Sequence, residues 1–155
     1  MTHFNFRFQK ILDLKENEKG FAQIQMADAI KQEEVGYQKK QAIYNKLEDA
    51  EQLKKEKQQG GVNISELRML MDYIQQLQDQ LMFSNRELEH LQKNVVKTQT
   101  HLQDKAKEEK TWINLKEQKL ILFEEQAKAE EQIFFDEIAS TRFFRNSQAS
   151  LAERG

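Results

Sequence analysis

Three histidines, His3, His90 and His101, are the residues of this chain best suited to acid–base or metal chemistry. His90 and His101 are eleven residues apart, which separates them by roughly 16 Å along a helix, too far to share a metal ion. The chain has no cysteine and no HExxH pair to complete a metal site. It also lacks the glycine-rich loop that holds nucleotide phosphates. We therefore predict no catalytic, metal-binding or cofactor-binding residues, and we do not expect an enzyme.

Phenylalanine carries a stronger signal, because nine of the ten fall either in the first 21 residues or between residues 123 and 144. We expect Phe4 and Phe8 to pack against a neighbouring helix. In the pairs Phe134-Phe135 and Phe143-Phe144, adjacent side chains point in different directions, so one helix face cannot cover them. Exposed aromatic clusters are typical of docking sites. The arginines that flank the second pair leave a weak membrane-surface patch as the alternative.

Composition narrows the fold and the partners. Apolar residues make up 38% and charged residues 32% of the chain, with a net charge of −2 and a mean hydropathy of −0.86. This apolar fraction is too small for a large globular core but suits a coiled-coil seam. Acidic and basic residues are intermixed, so no basic surface for nucleic acid is expected. Disorder, the competing interpretation, usually brings proline enrichment, and this chain has no proline.

The break that organises the chain is Gly60-Gly61. A sequence without proline can form long helices, and a glycine pair lets the chain reverse. We predict helix one over about 4–57, a turn over about 58–63, helix two over about 64–145 and a frayed tail over 146–155. The predicted fold class is all-α: a single elongated coiled-coil domain over 1–155, folded as an antiparallel two-helix hairpin with an overhanging C-terminal helix.

Helix one carries an apolar stripe that weakens along its length, with Glu33 and Lys40 among the seam positions. Gly20 and Gly36 each cost about 1 kcal/mol relative to alanine in a helix interior. They mark either weak points or points of close packing. The predicted stripe consists of Phe4, Phe8, Ile11, Leu12, Leu14, Phe21, Ile24, Ile30, Tyr37, Tyr44 and Leu47.

Helix two has a clear start, because Asn63 can cap the first backbone amides and Glu66 can reach back to complete a capping box. A heptad pattern follows for more than five repeats, which indicates a coiled coil. After Leu102 the apolar row shifts by four residues to Ile113, and Trp112 is expected to fill the core there. The two rows before the shift are Leu67, Ile74, Leu81, Leu88, Val95 and Leu102, and Leu70, Leu77, Ser84, Leu91 and Thr98.

Reversal at the glycine pair places Phe4 near Glu117 and Ile11 near Lys110. Helix two should then overhang from about Gln118 onward without an intramolecular partner. The N-terminal residues lack the apolar stretch of a secretory signal, and no run of apolar residues is long enough to span a bilayer. We expect a soluble chain that is monomeric because its coiled coil is intramolecular.

A second candidate surface lies early in helix two. Tyr73, Leu77, Gln80 and Ser84 share one helical face, and three methionines with Phe83 add adaptable apolar surface nearby. Leu77 and Ser84 also belong to the predicted seam. Burial against helix one is therefore the alternative to a binding role for this face.

The stretch from Phe4 to Glu18, FNFRFQKILDLKENE, resembles the N-terminal signature of the FliJ family, especially its Gram-positive members. The segment from Ser65 to Tyr73, SELRMLMDY, and the central Gly-Gly turn also fit that family. FliJ proteins are cytoplasmic components of the flagellar type III export apparatus. The resemblance implies a hairpin similar to the central stalk of rotary ATP synthases.

The resemblance also implies two partners, the export ATPase FliI and the export gate protein FlhA, with other export chaperones as further candidates and a location at the cytoplasmic face of the membrane. The gate-contacting stripe would fall at Tyr73, Leu77, Gln80 and Ser84, although Gln80 and Ser84 depart from the family pattern. A generic coiled-coil scaffold and a peripheral membrane helix remain the alternatives. We assign ATPase-ring binding to the aromatic end: Phe4, Phe8, Ile11, Phe123, Phe134, Phe135, Phe143 and Phe144.

Overall fold

A computed structural model describes residues 3–61 and 63–154, and over that part of the chain it contains two helices and no strand. Helix α1 runs Gln9–Gly60 and helix α2 runs Ile64–Arg154. The all-α class is confirmed, and α2 begins at Ile64, close to the predicted start of about residue 64. No stretch of either helix, within the described residues, is both long and apolar enough to cross a membrane.

Both outer helix boundaries differ from the prediction. The first helix begins at Gln9 rather than at residue 4, because residues 3–6 are not helical and residues 7–8 form a turn. The amide of Gln9 donates to the carbonyl of Phe6 at 3.1 Å, which closes that turn. Helix α2 continues to Arg154, nine residues past the predicted end of helix two, and the fraying of residues 146–155 stays a prediction. Its last residues include alanine, leucine, glutamine and glutamate, which favour helix, and residues 146–154 contain no glycine or proline.

The connection between the helices depends on two residues. Gly61 has a φ of 73°, a left-handed conformation that glycine adopts without strain. Asn63 caps α2, because its side-chain oxygen accepts a hydrogen bond from the amide of Ser65 at 3.2 Å. Glu66, predicted to complete the cap, lies 3.6 Å from the Lys57 ammonium of α1. Val62 lies outside the described residues.

The chain packs as two compact units, and both helices contribute to each. We call Lys15–Lys107 the hairpin unit and the residues up to Leu14 together with those from Glu108 onward the terminal unit. In the hairpin unit the helices are antiparallel. Ion pairs join them at both ends of this unit: Lys57 with Glu66 beside the turn, and Glu18 with Lys105 at 3.3 Å at the far end. The predicted hairpin is confirmed.

In the seam of the hairpin unit, the buried residues of α1 are mostly smaller than those of α2. Its best-defined core joins Leu47 and Ala50 of α1 to Ile74 and Leu77 of α2. The α2 rows predicted up to Leu102 all lie at buried or half-buried positions. The α1 side, however, presents small residues. The buried seam residues of this unit are Ala22, Ala29, Gly36, Leu47 and Ala50 on α1, and Ile74, Leu77, Ser84 and Leu88 on α2.

Most of the stripe predicted for α1 is therefore wrong. Ile30, Tyr37 and Tyr44 are between 44% and 56% exposed, because the residue before each one occupies the seam instead. Phe21 and Ile24 are more than 60% exposed. A coiled coil can place small residues opposite large ones, and the leucines of α2 fill the space beside this row.

The terminal unit joins the N-terminal segment to α2. Phe4 contacts Phe123, with ring centroids 5.6 Å apart, rather than lying near Glu117. The reason is that the segment before Gln9 is not helical, and such a chain spans up to about 3.3 Å per residue, against 1.5 Å in a helix. The overhang therefore begins after Phe123 and not at Gln118.

The register shift predicted in α2 has a limited effect on burial. In the terminal unit Glu109, Trp112, Ile113 and Lys116 are all half-buried, so both the old and the new row face neighbours there. Further along the new row, Phe134 is 58% exposed. The shifted row is thus packed only near its start.

Candidate docking surfaces

The C-terminal part of α2 carries a cluster of exposed apolar side chains in the terminal unit. We call residues 124–154 the tail. From Glu124 to Glu153 every described side chain is exposed except Ile138, which is half-buried. Six large apolar side chains in the tail are at least 55% exposed: Ile133, Phe134, Phe135, Phe143, Phe144 and Leu151. Soluble proteins rarely leave such clusters uncovered unless a partner binds them.

The exposed side chains surround the tail and do not form one stripe. Ile133, Phe134 and Phe135 are consecutive, and successive residues of a helix point about 100° apart. The rings of Phe134 and Phe135 meet edge to face at 6.0 Å, and both remain more than half exposed. A helix that is apolar in several directions is normally enclosed by its partner. A single flat surface would leave part of this aromatic cluster in water.

The other residues assigned to ATPase-ring binding lie inside the terminal unit. Phe8 packs edge to face on Trp112 at 5.7 Å, and Phe4 packs on Phe123. The guanidinium of Arg7 lies 5.7 Å from the centre of the Phe8 ring, a cation–π distance. Phe4, Phe8 and Phe123 are half-buried, as is Ile11. The structure therefore divides the assigned set into four packed residues and four exposed phenylalanines of the tail.

The residues assigned to gate binding are also divided. Tyr73 is 45% exposed and Gln80 is exposed, so both side chains are accessible. Leu77 and Ser84 are only 3% and 6% exposed and lie in the seam. A partner that docks on the folded hairpin unit can reach Tyr73 and Gln80 directly. Leu77 and Ser84 support that face by packing in the seam beneath it.

A groove beside this face was not predicted from the sequence. It has a volume of about 560 Å³ and lies between the two helices of the hairpin unit. Phe83, which is 70% exposed, stands at its edge. Lys39 lines one side, and Asp79 and Glu87 line the other. The signal in the sequence was Phe83, the one phenylalanine near the turn, but the α1 residues opposite it could not be identified without the pairing of the helices.

The exposed row of α1, Ile30, Tyr37 and Tyr44, forms a third apolar surface. The Tyr44 hydroxyl donates a hydrogen bond to Glu48, and this bond and the nearby negative charge raise the pKa of Tyr44 above its usual value. On α2, the side-chain oxygen of Asn85 is buried and accepts no hydrogen bond from any described residue. Among the described residues, no group of His, Asp or Glu side chains is placed to bind a metal ion.

Comparison with known proteins identifies the family. Residues 4–148 match the family described as Flagellar FliJ protein. The chain is 28% identical over 141 residues to the Flagellar FliJ protein of Bacillus subtilis (strain 168), an alignment that covers 90% of this chain and 95% of that relative. No solved structure matches the chain significantly. With almost the whole of both described helices inside the matched range, this chain belongs to the FliJ family.

Proposed function

We propose that this chain is a non-enzymatic component of flagellar protein export that binds the export ATPase FliI through its tail. The observation that carries the proposal is the tail itself, whose exposed phenylalanines point in several directions around α2. A ring that encloses the helix satisfies this requirement better than a flat surface does. The packed aromatic residues of the terminal unit would hold the base of the tail rigid.

Deletion of residues 134–155 tests this role. We expect the truncated protein to lose binding to purified FliI, because the deletion removes all four exposed phenylalanines of the tail. The thermal unfolding midpoint of the remaining helices should change little, since every described side chain in the deleted range except the half-buried Ile138 is exposed. Deletion of residues 146–155 is the matched control, because it shortens α2 and keeps the phenylalanines. If the protein that lacks residues 134–155 binds FliI as well as the full chain does, the assignment of FliI binding to the tail is wrong.

We further propose that the face around Tyr73 contacts the export gate protein FlhA, so that the chain couples ATPase activity to export. Tyr73 and Gln80 are the accessible members of this face. Leu77 and Ser84 contribute by supporting it. We expect Tyr73→Ala to reduce both FlhA binding and swarming motility. Gln78→Ala is the control, because Gln78 is exposed and lies on a different side of α2 from Tyr73.

The location that this role requires is the cytoplasm, at the inner face of the membrane where the export apparatus lies. Recruitment through the apparatus is our proposal, and direct adsorption of the tail to lipid is the competing one. Sedimentation with anionic vesicles distinguishes them. We expect the full chain to remain in the supernatant, whereas a membrane helix would sediment and lose that property in the variant Phe143→Ser/Phe144→Ser. Export chaperones are further candidate partners.

A further inference from the structure

The tail presents about 30 residues of continuous helix with nothing packed on its described side chains except around Ile138. Helices in proteins gain most of their stability from tertiary packing of an apolar face, and the tail lacks such packing outside Ile138. Whenever no other partner is bound, the tail therefore favours any surface that can cover its phenylalanines. The tail of a second copy of the protein offers one such surface.

The sequence of the tail is symmetric about Ala139 along one helix face. Phe135 lies four residues before Ala139 and Phe143 four residues after it. Gln132 and Asn146 lie seven residues before and after it. Spacings of four and seven keep these residues on the face that contains Ala139. Phe135 is 55% and Phe143 is 76% exposed, so both rings are accessible to a second helix.

The two charged residues nearest Ala139 on this face have opposite signs. Asp136 lies three residues before Ala139 and Arg142 three residues after it. The Asp136 carboxylate already belongs to this face, because it accepts a hydrogen bond at 3.1 Å from the Gln132 amide. If two tails align in parallel, Asp136 meets Asp136 and the two repel. If they align antiparallel, each Asp136 meets the partner's Arg142.

We propose that two copies of this chain dock antiparallel through their tails, with the two-fold axis at Ala139. The small Ala139 side chain allows the helices to approach closely at the axis. Each Phe135 then packs beside the Phe143 of the other copy, and two ion pairs between Asp136 and Arg142 flank the centre. The interface is isologous, which is the commonest symmetry of protein dimers. This dimer departs from the monomer expected from the sequence, because that expectation considered only the intramolecular hairpin. The inference does not rest on the export role, and a ring that encloses the tail would compete with it.

Equilibrium sedimentation of the full chain tests self-association. We expect the mass to rise with concentration from 18.4 kDa to twice that value. Phe135→Ser/Phe143→Ser should weaken dimerisation at least tenfold. The matched control Phe134→Ser/Phe144→Ser removes two rings that are also more than half exposed but lie on other faces, and it should keep a nearly normal dimer. A wild-type chain that stays monomeric at every concentration, or equal loss in both variants, overturns the proposal.

Charge reversal tests the pairing. Asp136→Arg places positive charge on both sides of the axis, and Arg142→Glu places negative charge on both sides. We expect each variant alone to dimerise about tenfold more weakly than the wild type, and an equimolar mixture to recover, because opposite charges meet again in the heterodimer. A mixture that associates no better than its components contradicts the assigned ion pairs.

Orientation is tested by cross-linking, which is simple because the chain has no cysteine of its own. We expect a mixture of Gln132→Cys and Asn146→Cys proteins to form a disulfide between copies under mild oxidation. Each variant alone should form little, since an antiparallel pair holds two copies of the same site about 21 Å apart. Efficient cross-linking of either variant alone would indicate a parallel dimer and overturn the arrangement.

Discussion

At Gly36, α1 carries no side chain, and two leucine side chains of α2 lie close by. A Cβ atom built there would lie 2.7 Å from Cδ1 of Leu91, closer than real atoms come, so Leu91 would have to move. Gly20 is different, because a Cβ atom there meets nothing within 4 Å. The same residue type thus has a packing role at one position of α1 and none at the other.

Alanine substitution distinguishes the two glycines. We expect Gly20→Ala to stabilise the protein by roughly 0.5–1 kcal/mol, since alanine is the better helix former. Gly36→Ala should gain clearly less or lose stability, because the same propensity gain is opposed by the displacement of Leu91. The measurement is the free energy of urea unfolding followed by circular dichroism. Equal stabilisation by both substitutions would show that α1 and α2 are not in close contact at Gly36.

Tyr44 gives a second prediction at this scale. Its hydrogen bond to Glu48 and the charge of that carboxylate raise the pKa of Tyr44, so the neutral hydroxyl is favoured in the folded state. This small stabilisation is present below the ordinary tyrosine pKa and is lost as pH rises through the raised pKa. We expect Glu48→Gln to lower the pKa of Tyr44 toward its usual value. Tyrosinate absorbance in a Tyr37→Phe/Tyr73→Phe background would measure this, and an unchanged titration would rule out the interaction.

At the scale of the helix, α2 carries two kinds of residue on neighbouring turns. Its leucine rows face α1, whereas Tyr73, Gln80 and Phe83 remain accessible. The buried row of α1 that faces these leucines consists mainly of alanine and glycine. Large side chains of α2 therefore pack against small residues of α1. Its own large residues, Ile30 and Tyr37 among them, are left outside the seam.

Substitutions at Leu77 and Tyr73 should therefore change the unfolding free energy by very different amounts. We expect Leu77→Ala to cost about 2–4 kcal/mol of unfolding free energy, because Leu77 is 3% exposed within the best-packed cluster. Tyr73→Ala should change stability by less than about 0.5 kcal/mol, as is usual for surface positions. Chemical denaturation measures both. If Tyr73→Ala proved as costly as Leu77→Ala, its effect on gate binding could not be attributed to a lost contact.

At the scale of the whole molecule, the chain is organised as the hairpin unit and the terminal unit. Trp112, the single tryptophan, belongs to the terminal unit and packs on Phe8. Its fluorescence therefore reports on one unit, whereas circular dichroism reports on both helices together. Few of the terminal unit's side chains are fully buried, with Phe6 and Leu12 the buried hydrophobic ones among its described residues.

We expect the two probes to give different unfolding curves. Trp112 fluorescence should change at a lower temperature than the main loss of circular dichroism, because the terminal unit buries less apolar surface. Phe8→Ala should lower the fluorescence midpoint further and leave the main helical transition nearly in place. Leu77→Ala should do the reverse. Coincident midpoints in the wild type and in both variants would show that the chain unfolds as one cooperative structure.

The sequence by itself determined the all-α fold, the reversal at Gly60-Gly61, the capped start of α2 and the absence of a partner for Phe134-Phe135 and Phe143-Phe144. These features depend on the conformational preferences of individual residues and on their spacing, both of which can be read from the sequence. It also carried the family resemblance, through the stretch from Phe4 to Glu18. The leucine rows of α2 could be read in advance because large apolar residues recur there every seven positions.

Only the tertiary structure decided which face of α1 enters the seam and which predicted docking residues are accessible. A search for large apolar residues selects Tyr37 and Tyr44, yet the leucines of α2 need small partners, so Gly36 and its row are buried instead. The non-helical start likewise moved Phe4 to Phe123 and shortened the overhang. Burial depends on how two surfaces fit in volume, and neither helix encodes that fit alone.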